Sequence, residues 1–221
     1  YFKNCHFYNA EKVSVFIADS SFVIFENCLF LNNKYSVTIT NKSYAKFINC
    51  TFAEDSGFSI LVVNKSQAEI SNCLFKNDAG KAIFVDLSSK CYITKTNFIN
   101  CKRGATTVGN KSTLILDGQI NIENCENTAL RATNKSFMLG YDVTIKNTKG
   151  NGINMDNSKG YFYKCNIHRS FHPTIASIGS YSNPVFHDCN FTEDLSTYFL
   201  IAKSFARPFF VNCSFSECKG D

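Results

Sequence analysis

The chain has 221 residues, 44% of them hydrophobic, and a formal net charge of +5. This hydrophobic fraction is ordinary for a folded protein and excludes a disordered chain, while a charge spread along the sequence argues against a nucleic-acid-binding surface. The 22 Phe residues, with no Trp, indicate a large dry core, and the apolar stretches are too short to span a membrane.

The predicted elements recur along the chain about every 23 residues. The phrase Asn-Cys-x-Phe occurs at residues 4–7, 27–30, 49–52, 72–75 and 212–215, and degenerate copies fill the interval. The position two residues after the Cys holds Phe or Ile in all ten copies. From the first copy to the last, the Cys position is occupied by Cys5, Cys28, Cys50, Cys73, Thr96, Ile120, Val143, Cys165, Cys189 and Cys213.

Each copy contains three short segments in which apolar residues alternate with others, as on a strand with one buried face. The first segment precedes the Cys, as at Val23 and Phe25, and the second is the Cys and Phe pair itself. The third follows the second turn, as at Ile60 and Val62. Each copy is therefore predicted to form three short strands.

Two copies in the middle of the chain depart from this spacing. They are the copies whose Cys positions hold Ile120 and Val143. The first apolar segment is predicted to lie one residue earlier there, which adds a residue to the turn that follows. The inward pairs predicted for these copies are Leu114 with Leu116 and Phe137 with Leu139.

Strands this short cannot bury their apolar faces alone, so we expect each copy to stack on the next at about 4.8 Å. A leucine-rich repeat would need a Leu-x-x-Leu-x-Leu phrase, which the chain lacks, and an α-solenoid would show a 3.6-residue period. The predicted fold is all-β: a right-handed, single-stranded parallel β-helix of about ten coils, in one domain over residues 1–221. We expect this domain to be a fragment of a longer chain, because the repeat begins at once and stops partway through a coil.

Asparagine marks the predicted turns, because it tolerates left-handed backbone conformations and its amide can hydrogen-bond along a stack. It precedes the Cys in five copies. A second turn column contains Asn9, Asn32, Asn77, Asn100, Asn124 and Asn147. A third turn repeats Asn-Lys-Ser, with predicted variants at residues 19–21 and 86–88.

These coils resemble the parallel β-helix repeats of the pectate-lyase-like superfamily. Phe75 with Asn77, followed by Gly-Lys-Ala-Ile at residues 80–83, is similar to the Phe, Asn and Gly-Gly-Ala-Ile phrases of polymorphic outer-membrane-protein repeats. Phe98 with Asn100, followed by Gly-Ala at residues 104–105, is a second copy, and the double Gly is absent from both. Those proteins are adhesins and passenger domains, so the resemblance implies an extracellular or cell-surface location.

Cysteines in register on neighbouring coils would have Cα atoms about 4.8 Å apart, within the range of a disulfide. Disulfides and stacked thiols both stay open, and small buried thiols are favoured because Thr, Ile and Val share the main Cys column. The candidates are Cys5, Cys28, Cys50, Cys73, Cys101, Cys125, Cys165, Cys189 and Cys213. No Cys-x-x-Cys phrase occurs, so no zinc site is predicted.

Two further sets of residues are candidates for modification or binding. Lysines of the third turn would form a stripe that could meet an acidic glycan or an anionic surface, although a solvated, charged turn is the favoured explanation. The stripe is Lys42, Lys65, Lys111 and Lys135. Glycosylation sequons, of which the turn role predicts only a minority to be used, begin at Asn41, Asn49, Asn64, Asn110, Asn134, Asn190 and Asn212.

Catalysis on a polysaccharide by inversion would need two carboxyl groups about 6.5–9.5 Å apart. The best-placed pair is Asp55 and Asp78, which share a turn column on adjacent coils, where acids commonly serve the backbone alone. The Asp-Asp and Gly-His-Gly phrases of pectin hydrolases are absent. We therefore predict no catalytic residue, metal or cofactor.

The first hypothesis is a non-catalytic structural or adhesive segment of a cell-surface or secreted glycoprotein. Its repetitive face would bind another protein or a glycan surface, or copies would associate end to end or side by side. One alternative is a polysaccharide lyase or hydrolase of the pectate-lyase-like superfamily. Another is an intracellular β-helix that serves as a protein-interaction scaffold. None of these hypotheses has a nucleic-acid partner.

Overall fold

The computed structural model describes residues 1–218, and all regular elements in that range are β-strands. The chain winds as a β-helix with three faces, and stacked coils pair in parallel. The first and second faces join in an 18-stranded sheet, and the third face is a separate 9-stranded sheet. No helix that could cross a membrane occurs within these residues.

The strands are grouped by the face they form. On the first face they are Phe2–Lys3, Phe22–Glu26, Tyr44–Ile48, Gln67–Ser71, Lys90–Thr94, Lys159–Tyr163, Val185–His187 and Phe209–Val211. On the second face they are His6–Tyr8, Leu29–Leu31, Thr51–Ala53, Leu74–Lys76, Asn97–Ile99, Asn166–Ser170, Asn190–Thr192 and Ser214–Ser216. Two long strands, Thr113–Glu123 and Phe137–Thr148, cross from the first face to the second. On the third face they are Val13–Ile17, Tyr35–Ile39, Ile60–Val62, Ile83–Val85, Thr106–Val108, Leu130–Thr133, Ile153–Asp156, Ile175–Ile178 and Leu200–Lys203.

The core is built from like side chains stacked coil on coil. On the second face the buried rings of Phe30, Phe52, Phe75 and Phe98 lie above one another, with neighbouring centroids 4.5–4.9 Å apart. This separation equals the spacing of strands in a sheet, so each ring contacts the next without a gap. The predicted register of the Asn-Cys-x-Phe repeat is confirmed.

In all ten coils the first and second turns each contain one non-glycine residue in the left-handed region, with φ between 46° and 60°. Asn is suited to this conformation, which explains its frequency. In the second turn Asn32 donates to Asn9, and Asn100 donates to Asn77, both at 2.9 Å. The ladder predicted for this column is confirmed.

The coil at Val143 does not contain the predicted extra residue. Its inward pair on the first face is Met138 and Gly140, aligned with Leu114 and Leu116, so the prediction of Phe137 with Leu139 is wrong. The extra residue exists only in the preceding coil, where the strand register shifts between residues 117 and 120 at Gly118. The physical reason is that the ring of Phe162 fills the space above Gly140, so glycine can occupy an inward position there.

The third turn is also offset in one coil. The variant of Asn-Lys-Ser is at residues 87–89 rather than 86–88, because Leu87 and Ser88 are the two left-handed residues, as Asn64 and Lys65 are one coil earlier. The Ser of this phrase is buried in the interior. The hydroxyl of Ser89 accepts the backbone N–H of the Ser one coil earlier at 3.1 Å, so this Ser serves the stack.

Candidate anion-binding cleft

A cleft of about 320 Å³ lies where the chain leaves the second turn and enters the third face. Lys34, Gly57, Gly80 and Arg103 occupy one repeat column there on successive coils. A Cβ on Gly80 would lie 1.5 Å from the carbonyl oxygen of Gly57, so the stacked backbones leave no room for a side chain. The two glycines open a gap between the cationic side chains of Lys34 and Arg103. We call this gap the basic cleft.

Aromatic rings form one wall of the basic cleft. Tyr35 and Phe58 have ring centroids 5.9 Å apart, and Phe58 stacks on Phe84 at 5.2 Å. All three side chains are half-buried, so they offer apolar surface to the cleft while they support one another. A ligand held here would contact apolar and charged groups together.

Lys81 lies at the centre of the cleft. Its Nζ donates to Oγ1 of Thr107 at 2.8 Å and lies 5.6 Å from the ring centroid of Phe84. Burial, together with the positive charges of Arg131 and Arg103, lowers the pKa of Lys81 below its ordinary value. The side chain is therefore held in place by contacts that leave its charge uncompensated.

A smaller hollow of about 150 Å³ adjoins the cleft and shares Lys81 and Arg103 with it. Arg131 extends into this region from the third face. The remaining polar groups of the hollow come from Thr107, Asn127 and Thr128. Their hydroxyl and amide groups can donate and accept hydrogen bonds beside the cations.

None of the residues that line the cleft or the hollow is acidic. Among the ion pairs formed by residues 1–218, none includes Lys34, Lys81, Arg103 or Arg131. Lys81, Arg103 and Arg131 therefore repel one another on a concave surface without a carboxylate, and Lys34 adds a fourth positive charge at the far end of the cleft. An anionic ligand would relieve that repulsion, so this arrangement is suited to binding an anion.

Sequence reasoning missed this site because it examined single repeat columns. Lys34 and Arg103 precede the first inward residue of the third face by three positions, Lys81 precedes it by two, and Arg131 follows it by one. No one column shows the cluster. The available signal was the Gly-Lys and Arg-Gly pairs at residues 80–81 and 103–104, which mark close backbone packing beside a cation.

The predicted lysine stripe lies on the opposite edge of the third face. Lys42, Lys65, Lys111 and Lys135 are exposed, and each is the second of two left-handed residues in its turn. Leu87 and Ser88 interrupt the stripe between Lys65 and Lys111. We call these four residues the lysine row. None of them lines the basic cleft or the adjoining hollow.

The predicted glycosylation sites are exposed turn or strand residues, and all of them except Asn212 also take part in the side-chain stacks. Nδ2 of Asn64 donates to Oγ1 of Thr40 at 3.0 Å, and Nδ2 of Asn134 donates to Asn110 at 3.1 Å. Similar donors are Asn41, Asn49 and Asn190. Asn110 does not donate to the preceding coil, because the residue at its position there is Leu87, whose side chain has no acceptor. Glycosylation at these sites and at Asn212 stays a prediction.

The structure pairs none of the eleven cysteines, all of which lie within residues 1–218. Those of the first turn donate to the carbonyl two residues earlier, as Cys50 Sγ does to Ile48 at 3.4 Å, and the hydroxyl of Thr96 does the same to Thr94 at 2.7 Å. This shared contact explains why Thr can replace Cys in the column. Burial raises the pKa of Cys125 to about 12, so its thiol is neutral. Whether any cysteines pair in the natural protein stays a prediction.

Asp55 and Asp78, the best-placed acids in the sequence, point into the interior and are fully buried. Asp55 accepts the N–H of Asn33 and the hydroxyl of Ser36, and Asp78 accepts the N–H of Asp55 and the hydroxyl of Ser59. Burial and the charge of Asp55 raise the pKa of Asp78 to about 7. Carboxyl groups in this position hold adjacent coils together and do not reach a ligand outside.

No cluster of metal-ligating side chains was found in the part of the chain that the structure describes. A family model described as a right-handed beta helix region matches residues 1–127 and again residues 81–221. The two matches overlap, and together they cover the whole chain. A search of curated proteins finds no match.

Proposed function

Because the chain belongs to the family of right-handed β-helix regions, we propose that it is a non-catalytic binding segment of a cell-surface or secreted protein. Its ligand would be a linear acidic polysaccharide that lies in the basic cleft. The observation that carries this proposal is that Lys34, Lys81, Arg103 and Arg131 line the basic cleft and the adjoining hollow, and that no carboxylate lines either of them.

The distribution of the cations favours a polymer over a small anion. They come from coils two, four, five and six, so they extend over about 19 Å along the axis at the spacing of parallel strands. A polymer with repeated negative charges can contact all four cations at once. A single small anion would contact only the part of the cleft around Lys81.

The floor of the cleft favours a sugar over a peptide. A peptide strand would need free backbone donors, but the N–H groups of Gly57 and Gly80 already donate to Lys34 and Asp55 of the preceding coils. Sugar hydroxyls could instead hydrogen-bond to the side chains of Thr107 and Asn127 in the adjoining hollow. The aromatic wall adds apolar surface for the ring carbons of a sugar.

The lining of the cleft also supports a binding role rather than cleavage. It contains no carboxylate or imidazole that could act as a general acid or base. The cell-surface or secreted location is supported by the resemblance of the coils to adhesin repeats. Native material that carries neither glycans nor disulfides would contradict that location and favour an intracellular scaffold.

The proposal is tested by binding to a polyuronate, a sulfated polysaccharide and a neutral glucan of similar length. We expect binding to one or both acidic polymers, weakened by salt, and none to the neutral glucan. The variant Lys34→Gln, Lys81→Gln, Arg103→Gln and Arg131→Gln should bind at least about tenfold more weakly.

The lysine row provides a matched control. The variant Lys42→Gln, Lys65→Gln, Lys111→Gln and Lys135→Gln removes the same number of charges, and we expect it to bind the polymer nearly as well as the wild type. Equal losses in the two variants would show that binding depends only on net charge and would contradict the assignment to the cleft. Release of reducing ends or unsaturated products from the polymer would contradict the non-catalytic role.

A further inference from the structure

The outer surface of the third face carries an apolar strip. In coils one to four its outward-facing side chains include Phe16, Leu61 and Phe84, and the third turn adds Leu87. Phe16 is 65% exposed and Leu87 is 47% exposed, which is unusual for large hydrophobic side chains. We call these four residues the apolar strip.

The apolar strip, which shares Phe84 with the wall of the basic cleft, lies between two sets of cations. The basic cleft borders the edge where the chain enters the third face, and the lysine row borders the edge where the chain leaves it. In coils one to six the strands and third turns of this face carry two carboxylates, the exposed Asp19 of coil one and the half-buried Asp86 of coil four. The face therefore combines apolar surface at its centre with positive charge on both sides.

This combination excludes the simplest occupants of an apolar surface. A second copy of the chain packed face to face would bring cationic edges against cationic edges, which is unfavourable. A linear polymer in the basic cleft would not reach the lysine row, because the two edges are about 20 Å apart across the strand and its turns. The occupant must be broad, apolar within and negatively charged.

We propose that the third face of coils one to six binds flat against the surface of a bilayer that contains anionic lipids. The lysine row and the outer cations of the cleft would contact the headgroups, and Phe16 and Leu87 would enter the interface between headgroups and acyl chains. This binding is peripheral, because the strip is only one side-chain layer deep. It uses the lysine row, which the polysaccharide proposal leaves without a role.

The experiment measures co-sedimentation with vesicles of phosphatidylcholine, with and without phosphatidylglycerol. We expect the wild type to bind only the vesicles that contain phosphatidylglycerol, and high salt to weaken binding. The strip variant Phe16→Thr with Leu87→Asn should bind at least about tenfold more weakly. Both replacements occur naturally at the same positions of neighbouring coils, as Thr38 and Asn64, so we expect the variant to fold.

The lysine-row variant separates this proposal from the polysaccharide site. It should lose at least about tenfold in vesicle binding and yet keep its affinity for the acidic polymer. Failure of the wild type to bind anionic vesicles would overturn the inference while leaving the polysaccharide proposal intact. A strip variant that binds as well as the wild type would also overturn it, as would wild-type self-association that the strip variant abolishes.

Discussion

Coils two to five and the two coils after them form the same three-faced β-helix, but they use different side chains to do so. In the earlier coils the second face carries stacked Phe rings, whereas the later coils carry Ile122 and Ile145 in register with them. The first-turn residue is Asn49 in one region and Gln119 or Asp142 in the other, yet φ is 54–55° for all three. A coil therefore requires a left-handed backbone at its corner and an inward apolar side chain, and it tolerates several residue types in either role.

The interior next to the second turn shows a similar contrast, but here the change falls one coil earlier, between coils four and five. Asn33, Asp55 and Asp78 provide side-chain oxygens that accept the backbone N–H groups of the preceding coils, while Cys101 and Cys125 occupy the position in the coils that follow. All of these side chains are buried. The two regions therefore differ in how much buried charge they tolerate, and this difference should be visible in their response to pH.

The largest expected effect concerns the stacked rings. Phe52→Ala should lower the free energy of unfolding by about 3–5 kcal/mol, because the ring is buried and stacks on both sides, on Phe30 at 4.5 Å and on Phe75 at 4.7 Å. Ile145→Ala in the later region should cost less, roughly 2–4 kcal/mol, because a smaller side chain is removed. Denaturant unfolding of both variants checks the comparison. A loss below about 1 kcal/mol for Phe52→Ala would mean that the stack contributes little.

The second prediction concerns Asp78. Its pKa is about 7 in the folded chain, above the usual value for Asp, so the folded state binds the proton more tightly than the unfolded state. The stability contributed by this group is therefore complete below about pH 4 and is lost as the pH rises towards 7. Asp78→Asn should be more stable than the wild type at pH 8 by roughly 2–4 kcal/mol, and this advantage should disappear at pH 4.

Asn33 supplies the structural precedent for that variant. Its Oδ1 accepts the N–H of Ala10 at 3.0 Å, and its Nδ2 donates to the hydroxyl of Ser36 at 3.0 Å. An amide at residue 78 can make the equivalent contacts with Asp55 and Ser59. Thermal unfolding of both proteins across the pH range provides the measurement, and parallel curves would show that Asp78 does not titrate in this interval.

The smallest effect is expected at the first turn. Gln119→Asn should raise the free energy of unfolding by about 0.5 kcal/mol, because Asn adopts the left-handed conformation of this residue at a lower cost. Asn49→Gln, the reverse change in the earlier region, should lower it by a similar amount or slightly more, since Asn49 also donates to Asn27. Chemical unfolding compares the two. Destabilisation by Gln119→Asn would show that the turn depends on more than its backbone conformation.

The register, the three faces and the amide stacks could be predicted from the sequence because each depends on one column of like residues. The inward residues of the coil at Val143 could not, because residues 137–139 are all apolar and alternation alone does not say which of them face inward. Their orientation depends on Phe162, which lies a coil later. The basic cleft was missed for a related reason: its cations come from different repeat positions and meet only when the coils are stacked.

The pair Gly57 and Gly80 has a consequence for how such a chain could change its ligand. Each glycine leaves out one side chain between Lys34 and Arg103. The length of the opening between these two cations is therefore set by the number of glycine-bearing coils that separate them, at about 4.8 Å per coil. Duplication or loss of one whole glycine-bearing repeat would lengthen or shorten the opening by one coil and would leave the sequence of the turns unchanged. Ligand length in this architecture is therefore adjustable in whole steps, by recombination between repeats rather than by gradual substitution.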